Sequence, residues 1–542
     1  MEHEVRQADI PTVEALVNAF EAGSVSRRAF LRRAGLLGLT AAAAGALADA
    51  AAPRRARAQT TQKRDLVVAQ GGDISKFDPH FSTSSNDIRV SFNVFDTLTS
   101  RHPDQKLYPS LATEWKATGP TTWTFKLRSG VKWHNGDPFT AADAKFSLER
   151  TYDPAAKTMV GTVFTTIDRI EAPDPTTLVI HTKKSDPLLP DRLAFYGGQI
   201  VPRKYLEQVG PDTFNAKPVG TGPLRLLSWT KDDKAVFEAF PDYWGGKIDV
   251  DSVVFRPIPE TAPRVAAVLK GEVDAITQLP SDHWDRVNQN PTTRGVGALY
   301  AGLYVLGINA KVPPLNNQMV RQALSLSIDR EAIVKDLYRG RAIVPNGPIA
   351  QGDRHYDPSL PPLKYDPRAA RDLVKKSGYK NEPVVIETTI GYVAQDKVMS
   401  EAIAGMWKDV GLNAVVEVVE YSVRAEKNRN KTFKGLWWSD PTSTLRDPDG
   451  MMWRLLGPGG PQDYFRDPEW DELGNAARFS LDEKFRGEAY RKMTKIMLEK
   501  AFGWVIIMQP YEDYGLQRYV DFTPNPNQQF EVRRFNFRMR RA

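Results

Sequence analysis

One stretch of the sequence, Leu111 to Arg150, restricts the local fold more than any other part of the chain. From residue 123 to 128 apolar and polar side chains alternate, which predicts a strand with one buried face. A second short strand is predicted at Val131 to Trp133, and the Asn-Gly pair that follows tolerates the positive φ of a tight turn. The spacing of Thr140 and Asp143 nearly matches a capping box. The stretch therefore predicts a β-hairpin followed by an amphipathic helix.

Length and composition indicate several domains of the α/β class. The chain has 542 residues, which is more than one ordinary domain, so two or three domains are expected. Aromatic residues make up 10% of the chain, including 12 Trp and 18 Tyr, and such flat amphipathic rings can line a cleft as well as fill cores. Predicted strands and helices alternate from Leu66 onward, which is typical of α/β layers.

Charge and cysteine content exclude several classes of function. The 73 basic and 66 acidic residues give a net charge of only +7, and the basic clusters lie at the two ends of the chain, so a nucleic-acid partner is not predicted. There is no cysteine, which excludes disulfides, thiolate metal sites, cysteine nucleophiles and a lipoprotein anchor.

The N-terminus resembles an export signal. Ser26 to Leu31, SRRAFL, is similar to the twin-arginine consensus, and an apolar stretch from Leu36 to Leu47 follows it. Ala56 to Ala58 fits a small-x-small cleavage site, so cleavage after Ala58 is predicted. The alternative is an uncleaved membrane anchor, but the apolar run is shorter than the roughly 20 residues of a spanning helix. We therefore expect a periplasmic protein.

No catalytic or metal-binding motif is recognisable in the sequence. It contains no Gly-x-Ser-x-Gly, no His-Glu-x-x-His and no Walker loop, and its seven histidines are scattered. His134 is expected to stabilise its turn rather than to catalyse. The acidic pair in Asp447 to Gly450 lacks the other ligands of a calcium loop, which favours an ordinary turn. We predict no catalytic residue, no metal and no cofactor.

Several further segments occur in a fixed order along the chain. Pro218 to Pro223, PVGTGP, forces a non-helical backbone and lacks the third glycine of a dinucleotide fingerprint. In the helix predicted at Met319 to Arg330, Val320, Ala323, Leu324 and Ile328 should face inward. Further helices and strands are predicted at Glu401 to Val410, Asn413 to Val419 and Trp504 to Met508. The other landmarks are the Leu111–Arg150 stretch, Tyr243-Trp244-Gly245-Gly246-Lys247, Gly271-Glu272-Val273-Asp274 and Tyr365-Asp366-Pro367.

Together these landmarks resemble the family 5 extracellular solute-binding proteins, the peptide, opine and nickel receptors of ABC importers. The resemblance covers about residues 66 to 510 and implies an α/β, bilobal periplasmic-binding-protein type II fold with an additional domain. The implied domains are a twin-arginine signal peptide at 1–58, lobe I at 59–100, the extra domain at 101–215, lobe I again at 216–310, lobe II at 311–503, and the C-terminal part of lobe I at 504–542.

The resemblance also implies the function. The protein is expected to be a monomeric periplasmic receptor that captures a peptide, peptide-like or opine-like solute and delivers it to an inner-membrane ABC permease. Two alternatives stay open at this point. One is a secreted hydrolase, which would turn over its ligand, and the other is a chaperone-like protein, which would bind unfolded segments weakly and promiscuously.

The ligand site is implied by a Trp-x-x-Asp pattern of the peptide-binding relatives. Trp437 and Asp440 match it, so the Asp440 carboxylate is expected to receive a ligand ammonium group. The alternative for Asp440 is a turn cap before Pro441. Trp438 is predicted to stack on the ligand or pack in the core, and Ser84 and Ser85 are predicted to donate hydrogen bonds from lobe I.

One feature of the dipeptide-binding relatives is missing. They place an arginine two residues before a tyrosine, to hold the ligand's carboxylate. Here Tyr392 matches the tyrosine, but Ile390 occupies the arginine position, and isoleucine cannot replace a bidentate guanidinium. Arg354, His355 or Arg446 could compensate from nearby loops. This departure disfavours free dipeptides and favours longer or blocked peptides, opine-like conjugates, or another cationic or glycosylated solute.

Overall fold

The structure, a computed structural model, describes residues 12–21, 25–40, 43–44, 47 and 64–540. The chain divides into two compact units, residues 1–63 and residues 64–542.

In the first unit the described residues include the short helices α1 (Val13–Glu21) and α2 (Arg27–Leu36). Ser26 caps α2, because its hydroxyl oxygen accepts a hydrogen bond from the Ala29 backbone N–H at 3.3 Å. The paired arginines of the predicted export motif thus lie in the first turn of α2, whereas the predicted cleavage position after Ala58 lies outside the described residues. Among the described residues, no helix combines the length and the hydropathy that a membrane-spanning segment requires.

The second unit contains the remaining helices and all of the described strands. The helices are α3 (Ser85–Val94), α4 (Ala141–Tyr152), α5 (Leu189–Arg192), α6 (Arg203–Ala216), α7 (Thr261–Lys270), α8 (Trp284–Gln289), α9 (Gln318–Leu326), α10 (Arg330–Ala332), α11 (Pro367–Lys376), α12 (Asp396–Asp409), α13 (Tyr421–Asn430), α14 (Met452–Leu456), α15 (Pro468–Arg478) and α16 (Glu483–Lys500).

The strands are β1 (Asp65–Gln70), β2 (Thr99–Arg101), β3 (Leu107–Pro109), β4 (Ala112–Gly119), β5 (Thr122–Leu127), β6 (Ile167–Asp174), β7 (Thr177–Thr182), β8 (Leu224–Thr230), β9 (Lys234–Ala239), β10 (Ser252–Pro257), β11 (Ala275–Ile276), β12 (Thr293–Leu299), β13 (Tyr304–Ile308), β14 (Ala342–Ile343), β15 (Val384–Thr388), β16 (Ala414–Val418), β17 (Leu436–Ser439), β18 (Trp504–Gln517), β19 (Val520–Phe522) and β20 (Phe537–Met539).

The largest sheet is mixed, in the order β16-β15-β17-β13-β18-β11-β1-β10-β9-β8, with β12 and β14 also paired to β18. β1 is parallel to β10 and β11, whereas β18 is antiparallel to each of its partners. The first part of β18 pairs with β13 and its last part pairs with β11 and β12. The predicted final strand, Trp504 to Met508, is therefore too short, because β18 continues to Gln517 and joins the two halves of the sheet.

Each half of this sheet has its own hydrophobic core. In one, Phe237 and Phe255 pack with Tyr514, which lies in the last part of β18. In the other, Ile386 and Trp407 pack with residues from β13, β17 and the first part of β18. Two cores flanking a shared strand are consistent with the predicted α/β class and its two lobes.

The Leu111–Arg150 stretch contributes β4 and β5 to a separate four-stranded antiparallel sheet, in the order β4-β5-β7-β6. Phe125 and Leu127 of β5 are buried in its core, as the alternation predicts, and the Thr140 N–H donates to the Asp143 carboxylate at 2.9 Å at the start of α4. The predicted hairpin is wrong in part, because β5 pairs with β4 and β7, whereas Val131 to Trp133 forms no strand. Only an isolated bridge between Lys132 and Pro138 closes the Asn-Gly turn.

His134 connects this sheet to the Pro218–Pro223 segment. Its Nε2 lies 2.9 Å from the Gly222 carbonyl oxygen, and the Gly220 N–H donates to Nδ1 at 3.2 Å. Burial lowers the pKa of His134 to about 4, so the ring is neutral and can donate through one nitrogen and accept through the other. The residue thus ties two distant segments together, whereas the sequence predicted a role within its own turn.

Candidate ligand-binding site

β17 carries the Trp-x-x-Asp pattern to one end of the large sheet. The strand lies between β13, to which it is antiparallel, and β15, to which it is parallel. Successive side chains of a strand point to opposite faces, so Trp438 packs in the core with Trp407 while Trp437 lies on the other face. Asp440 follows the strand directly and is partly buried.

Tyr392 is the direct partner of Asp440. Its hydroxyl donates to Asp440 Oδ1 at 2.5 Å, which brings together two of the residues that the sequence predicted for the site. Burial raises the pKa of Asp440, although the Tyr392 hydrogen bond and the charge of Arg424 oppose that rise. Burial also raises the pKa of Tyr392, so its hydroxyl stays protonated and available as a donor.

The loop after β15 fixes the orientation of Tyr392. The Tyr392 N–H donates to the Thr389 carbonyl oxygen at 3.0 Å and to the Asp396 carboxylate at 2.8 Å, where α12 begins. Gly391, with φ of 83°, allows the turn that this requires. Ile390, at the position where the relatives carry arginine, is 62% exposed.

Arg424 is a site residue that the sequence did not predict. Its guanidinium carbon lies 3.6 Å from the centre of the Tyr392 ring and 5.9 Å from that of Phe433. The side chain is only 8% exposed and is the one buried residue of α13. Within the described residues it has no carboxylate in ion-pair contact, whereas Lys427, about one turn further along α13, pairs with Glu387.

Of the three residues expected to compensate for the missing arginine, the two arginines are already paired and His355 is neutral. Arg354 lies 3.0 Å from Asp191, and Arg446 lies 3.0 Å from Asp353. His355 lies 3.4 Å from Glu483, and burial lowers the pKa of its ring to about 4. Arg424 is instead the buried cation beside Tyr392. Nothing in the linear pattern of its otherwise exposed helix marks it.

The two predicted tryptophans are both almost fully buried. Trp437 stacks on Phe433 with ring centres 4.3 Å apart and planes 6° apart, and it contacts Tyr464 at 5.0 Å. Trp438 donates through its indole N–H to the Ser400 hydroxyl at 2.8 Å. Arg424, Phe433 and Trp437 thus form a column beside Tyr392, while a ligand contact of either tryptophan stays a prediction.

Ser84 and Ser85 lie at the start of α3, a helix that packs in the core of the other half of the large sheet. Ser84 is the N-terminal flanking residue of the helix, and the Ser85 hydroxyl donates to Gln528 Oε1 at 2.6 Å. Among the hydrogen bonds of the described residues neither serine contacts Asp440, so their predicted ligand contacts also stay predictions.

Three further tyrosines lie close enough to Asp440 for its charge to affect their pKa. Tyr196 follows α5, Tyr300 lies between β12 and β13, and Tyr304 is the first residue of β13. Burial in the first place, and then the negative charge of Asp440, raise the pKa of all three hydroxyls, which therefore remain hydrogen-bond donors. Arg454 is a second cation close enough to lower the pKa of Asp440. The site is polar, rich in aromatic rings and built from several segments, as small-solute sites are.

The acidic pair near Gly450 takes part in ion pairs. Asp447 lies 2.6 Å from Arg486, and Asp449 lies 2.6 Å from Arg192 and 3.3 Å from Arg478. No group of three or more potential metal ligands occurs among the residues that the structure describes.

Comparison with known proteins shows which class of protein this is. The family model for bacterial extracellular solute-binding proteins, family 5 (middle), matches residues 106–463, so the chain belongs to that family. This is a family of solute-binding and non-enzymatic proteins, which disfavours the hydrolase alternative.

Individual relatives agree with this class. The chain is 30% identical over 320 residues to the glutathione-binding protein GsiB of Pectobacterium atrosepticum. The aligned region covers 59% of this chain and 62% of the relative, which is less than two thirds of the relative's length. It is 25% identical over 488 residues to the dipeptide-binding protein of Escherichia coli, covering 83% of this chain and 90% of the relative.

Solved structures match over most of the chain. DppA of Helicobacter pylori in complex with the peptide STSA has a TM-score of 0.78 at 25% identity, covering 89% of this chain and 99% of that one. AgaA of A. tumefaciens R10 in complex with agropinic acid has a TM-score of 0.76 at 25% identity, covering 88% and 99%. The predicted fold class is therefore confirmed.

Proposed function

We propose that the protein is a periplasmic receptor that captures a peptide, peptide-like or opine-like solute through an ammonium group at Asp440. The observation that carries this proposal is the state of that carboxylate. It is partly buried and hydrogen-bonded to Tyr392, yet no cation is in ion-pair contact with it in the described part of the chain. Removing a carboxylate from water is costly unless a positive charge compensates, and a ligand ammonium would supply that charge.

The relatives support this choice of ligand class. The solutes named for them are glutathione, a dipeptide, the peptide STSA and agropinic acid. Tyr392 would orient the carboxylate, and Trp437, Trp438, Ser84 and Ser85 are the further predicted contacts. The captured solute would pass to the permease of an inner-membrane ABC importer, with the receptor acting as a monomer and without a metal or cofactor.

Capture would work by a population shift between open and closed arrangements of two lobes. The proposed lobe I comprises 59–100, 216–310 and 504–542, the extra domain 101–215, and lobe II 311–503. Asp440 and Tyr392 belong to lobe II, whereas Ser84 and Ser85 belong to lobe I. A solute that contacts both lobes binds the closed arrangement better and therefore favours it.

Export would precede capture. We propose that the twin-arginine motif at Ser26–Leu31 directs the protein to the periplasm and that cleavage follows Ala58. N-terminal sequencing of the protein recovered from the periplasm tests this. A mature chain that begins at Gln59 is the expected result, and a retained leader would contradict it.

The test of ligand capture combines identification and titration. Mass spectrometry of the purified protein under native conditions should reveal a co-purified solute with an amino group, and calorimetry then measures its affinity. Asp440→Asn keeps the shape of the side chain but removes its charge, so it should weaken binding by about 2–4 kcal/mol, the scale of breaking a buried charge pair. The matched control is Asp463→Asn, which changes a carboxylate paired with Arg466 at the protein surface.

Three outcomes contradict this proposal. Unchanged affinity in the Asp440→Asn variant rejects the ammonium site. Conversion of a peptide or glycoside rejects the receptor function. Weak binding of many unfolded segments with no preferred solute favours the chaperone-like alternative.

A further inference from the structure

The guanidinium group of Arg424 lacks a negative partner in a place where one is needed. Its side chain is 8% exposed, and a buried cation is destabilising unless an anion or a network of acceptors compensates it. Glu387 of β15 binds Lys427 of the same helix and also accepts the Lys434 N–H at 2.6 Å, so this acid is already paired. No carboxylate of the described residues is in ion-pair contact with Arg424.

Arg424 is held by the Tyr392 side chain, whose hydroxyl accepts a hydrogen bond from it, and the contacts of the described residues leave its other N–H donors available. The guanidinium lies over the face of Tyr392, 3.6 Å from the ring centre, a contact that stabilises the positive charge. A guanidinium stacked by its face still presents N–H donors along its edge, and a carboxylate can accept two of them in parallel. Arg424 is therefore oriented as anion-binding arginines are, but without the anion.

Arg424 and Asp440 lie next to the same side chain. The Tyr392 hydroxyl donates to Asp440, and the Tyr392 ring supports Arg424. The two charges interact electrostatically, because the positive charge of Arg424 acts to lower the pKa of Asp440. Among the contacts of the described residues, however, the two side chains form no direct ion pair. A cation site and an anion site thus lie side by side, separated by little more than one aromatic ring.

This spacing distinguishes between ligand classes. The N-terminus of an ordinary peptide offers an ammonium, but its neighbouring carboxyl group is an amide, so Arg424 would remain without an anion. A free α-amino-acid head carries an ammonium and a carboxylate on one carbon and would satisfy both residues. Its remainder must then be attached through the side chain or the amino nitrogen.

We propose that Arg424 and Asp440 together recognise a free α-amino-acid head group, with Arg424 binding the carboxylate and Asp440 the ammonium. This inference rests on the proposed function and narrows its ligand class to solutes joined through a side-chain linkage or an N-substituent. It also accounts for Ile390, because the carboxylate is bound from α13 and needs no arginine at that position.

The test uses three related probes that differ in whether the carbon carrying the ammonium also carries a free carboxylate. γ-Glutamylglycine carries the complete head group, its α-carboxamide lacks only the carboxylate charge, and α-glutamylglycine presents an ordinary peptide N-terminus. Calorimetry on the full mature protein should show that γ-glutamylglycine binds at least tenfold more tightly than either of the other two. In Arg424→Gln this preference should fall to about twofold or less, with Arg424→Lys between the two.

Matched variants exclude unfolding and the wrong cation. Arg429→Gln changes an exposed arginine of the same helix and should keep the wild-type preference. Arg454→Gln is a comparison and not a control, because it removes the other cation near Asp440 and shows whether that residue binds the carboxylate instead. Thermal melting of each variant checks that it is folded. The ratio of the affinities for two probes stays informative even if Arg424→Gln is less stable, because both affinities are measured on the same variant.

The outcomes separate this inference from the function on which it rests. Binding of α-glutamylglycine as tightly as of γ-glutamylglycine, no binding of the γ-linked probe, or loss of the preference in Arg454→Gln but not in Arg424→Gln overturns the head-group proposal. If Asp440→Asn still abolishes binding of the α-linked probe, the receptor proposal stands. If Asp440→Asn changes the binding of no probe or co-purified solute, the receptor proposal itself fails.

Discussion

Asp440 combines two properties that a binding carboxylate needs. It is partly removed from water, which strengthens its attraction for a cation, and the Tyr392 hydroxyl at 2.5 Å holds it in one orientation. Tyr392 is in turn held by the Asp396 carboxylate and supported against Arg424. The role of each of these residues depends on its neighbours and not on the residue type alone.

The raised pKa of Asp440 predicts how binding depends on pH. Only the ionised carboxylate attracts an ammonium, and burial raises the pKa at which it becomes protonated. Affinity should therefore be constant at neutral pH and fall as the pH falls through this raised pKa, above the usual carboxyl value of about 3.9. Ligand-free protein shows the opposite sign at this group, because the folded state binds its proton more readily than the unfolded state and so gains stability as the pH falls.

Calorimetry between neutral pH and about pH 4, around the ordinary carboxyl range, measures this dependence. Asp440→Asn should flatten the profile along with lowering the affinity. An identical pH profile in the variant would assign the titration to another group.

At the scale of elements, the Pro218–Pro223 segment depends on close backbone packing. A Cβ atom on Gly220 would lie 1.8 Å from the Val94 carbonyl oxygen at the end of α3, and one on Gly222 would lie 2.5 Å from that of Asn93. The Gly222 N–H donates to the Val94 oxygen at 2.9 Å, and His134 binds the other side of the segment. The glycines are needed here for space, because neither has a positive φ.

Gly220→Ala should therefore destabilise the protein by about 1–3 kcal/mol or more, since the obstacle is backbone and cannot rotate away. Gly405→Ala is the control. It lies within α12 with no atom within 4 Å of the new Cβ, so it should stabilise by about 0.5–1 kcal/mol. Urea denaturation midpoints measure both changes, and equal midpoints for the two variants would contradict the packing argument.

The periodicity of apolar residues predicted where helices occur more accurately than it predicted where they begin and end. In α9, Val320, Ala323 and Leu324 are buried as predicted, while Ile328 is buried beyond the end of the helix. The predicted helix at Glu401 to Val410 begins at Asp396 in the structure. The ends depend on contacts such as the one between Asp396 and Tyr392, which a local pattern does not contain.

At the scale of the whole molecule, ion pairs connect segments that are far apart in the sequence. Arg192 of α5 pairs with Asp449 at 2.6 Å, and Arg354 pairs with Asp191 at 3.0 Å. In the proposed division of the chain, both pairs join the extra domain to lobe II. Such pairs would favour the closed arrangement without touching the solute.

Arg354→Gln tests this connection with little risk to the fold, because Asp191 keeps Arg101 as a partner. The Arg354 side chain is 39% exposed, so the lost pair should cost about 1 kcal/mol at most and weaken solute binding up to about fivefold. The control is Arg491→Gln, which removes an exposed pair with Asp357 within lobe II and should leave the affinity unchanged. Equal affinities for both variants and the wild type would show that the Arg354 pair does not contribute to closure.

The sequence alone determined the family, the α/β class and the binding function, because these depend on local order. The strand alternation at 123–128, the Thr140 cap and the glycines of Pro218–Pro223 each act on neighbouring residues, so they are readable in a linear pattern. It also predicted Asp440 and Tyr392 as site residues, and the structure brings the two together after β17 and after β15.

Only the tertiary structure decided which cation accompanies them. Arg424 lies on a helix whose other side chains are mostly exposed, and its burial results from the rings of Tyr392 and Phe433, which come from other segments. Arg354, His355 and Arg446 were possible substitutes in the sequence. In the fold Asp191 and Asp353 pair with the two arginines, and burial keeps His355 neutral. Ion pairing depends on distance in space, and that distance is set by the packing of the whole chain.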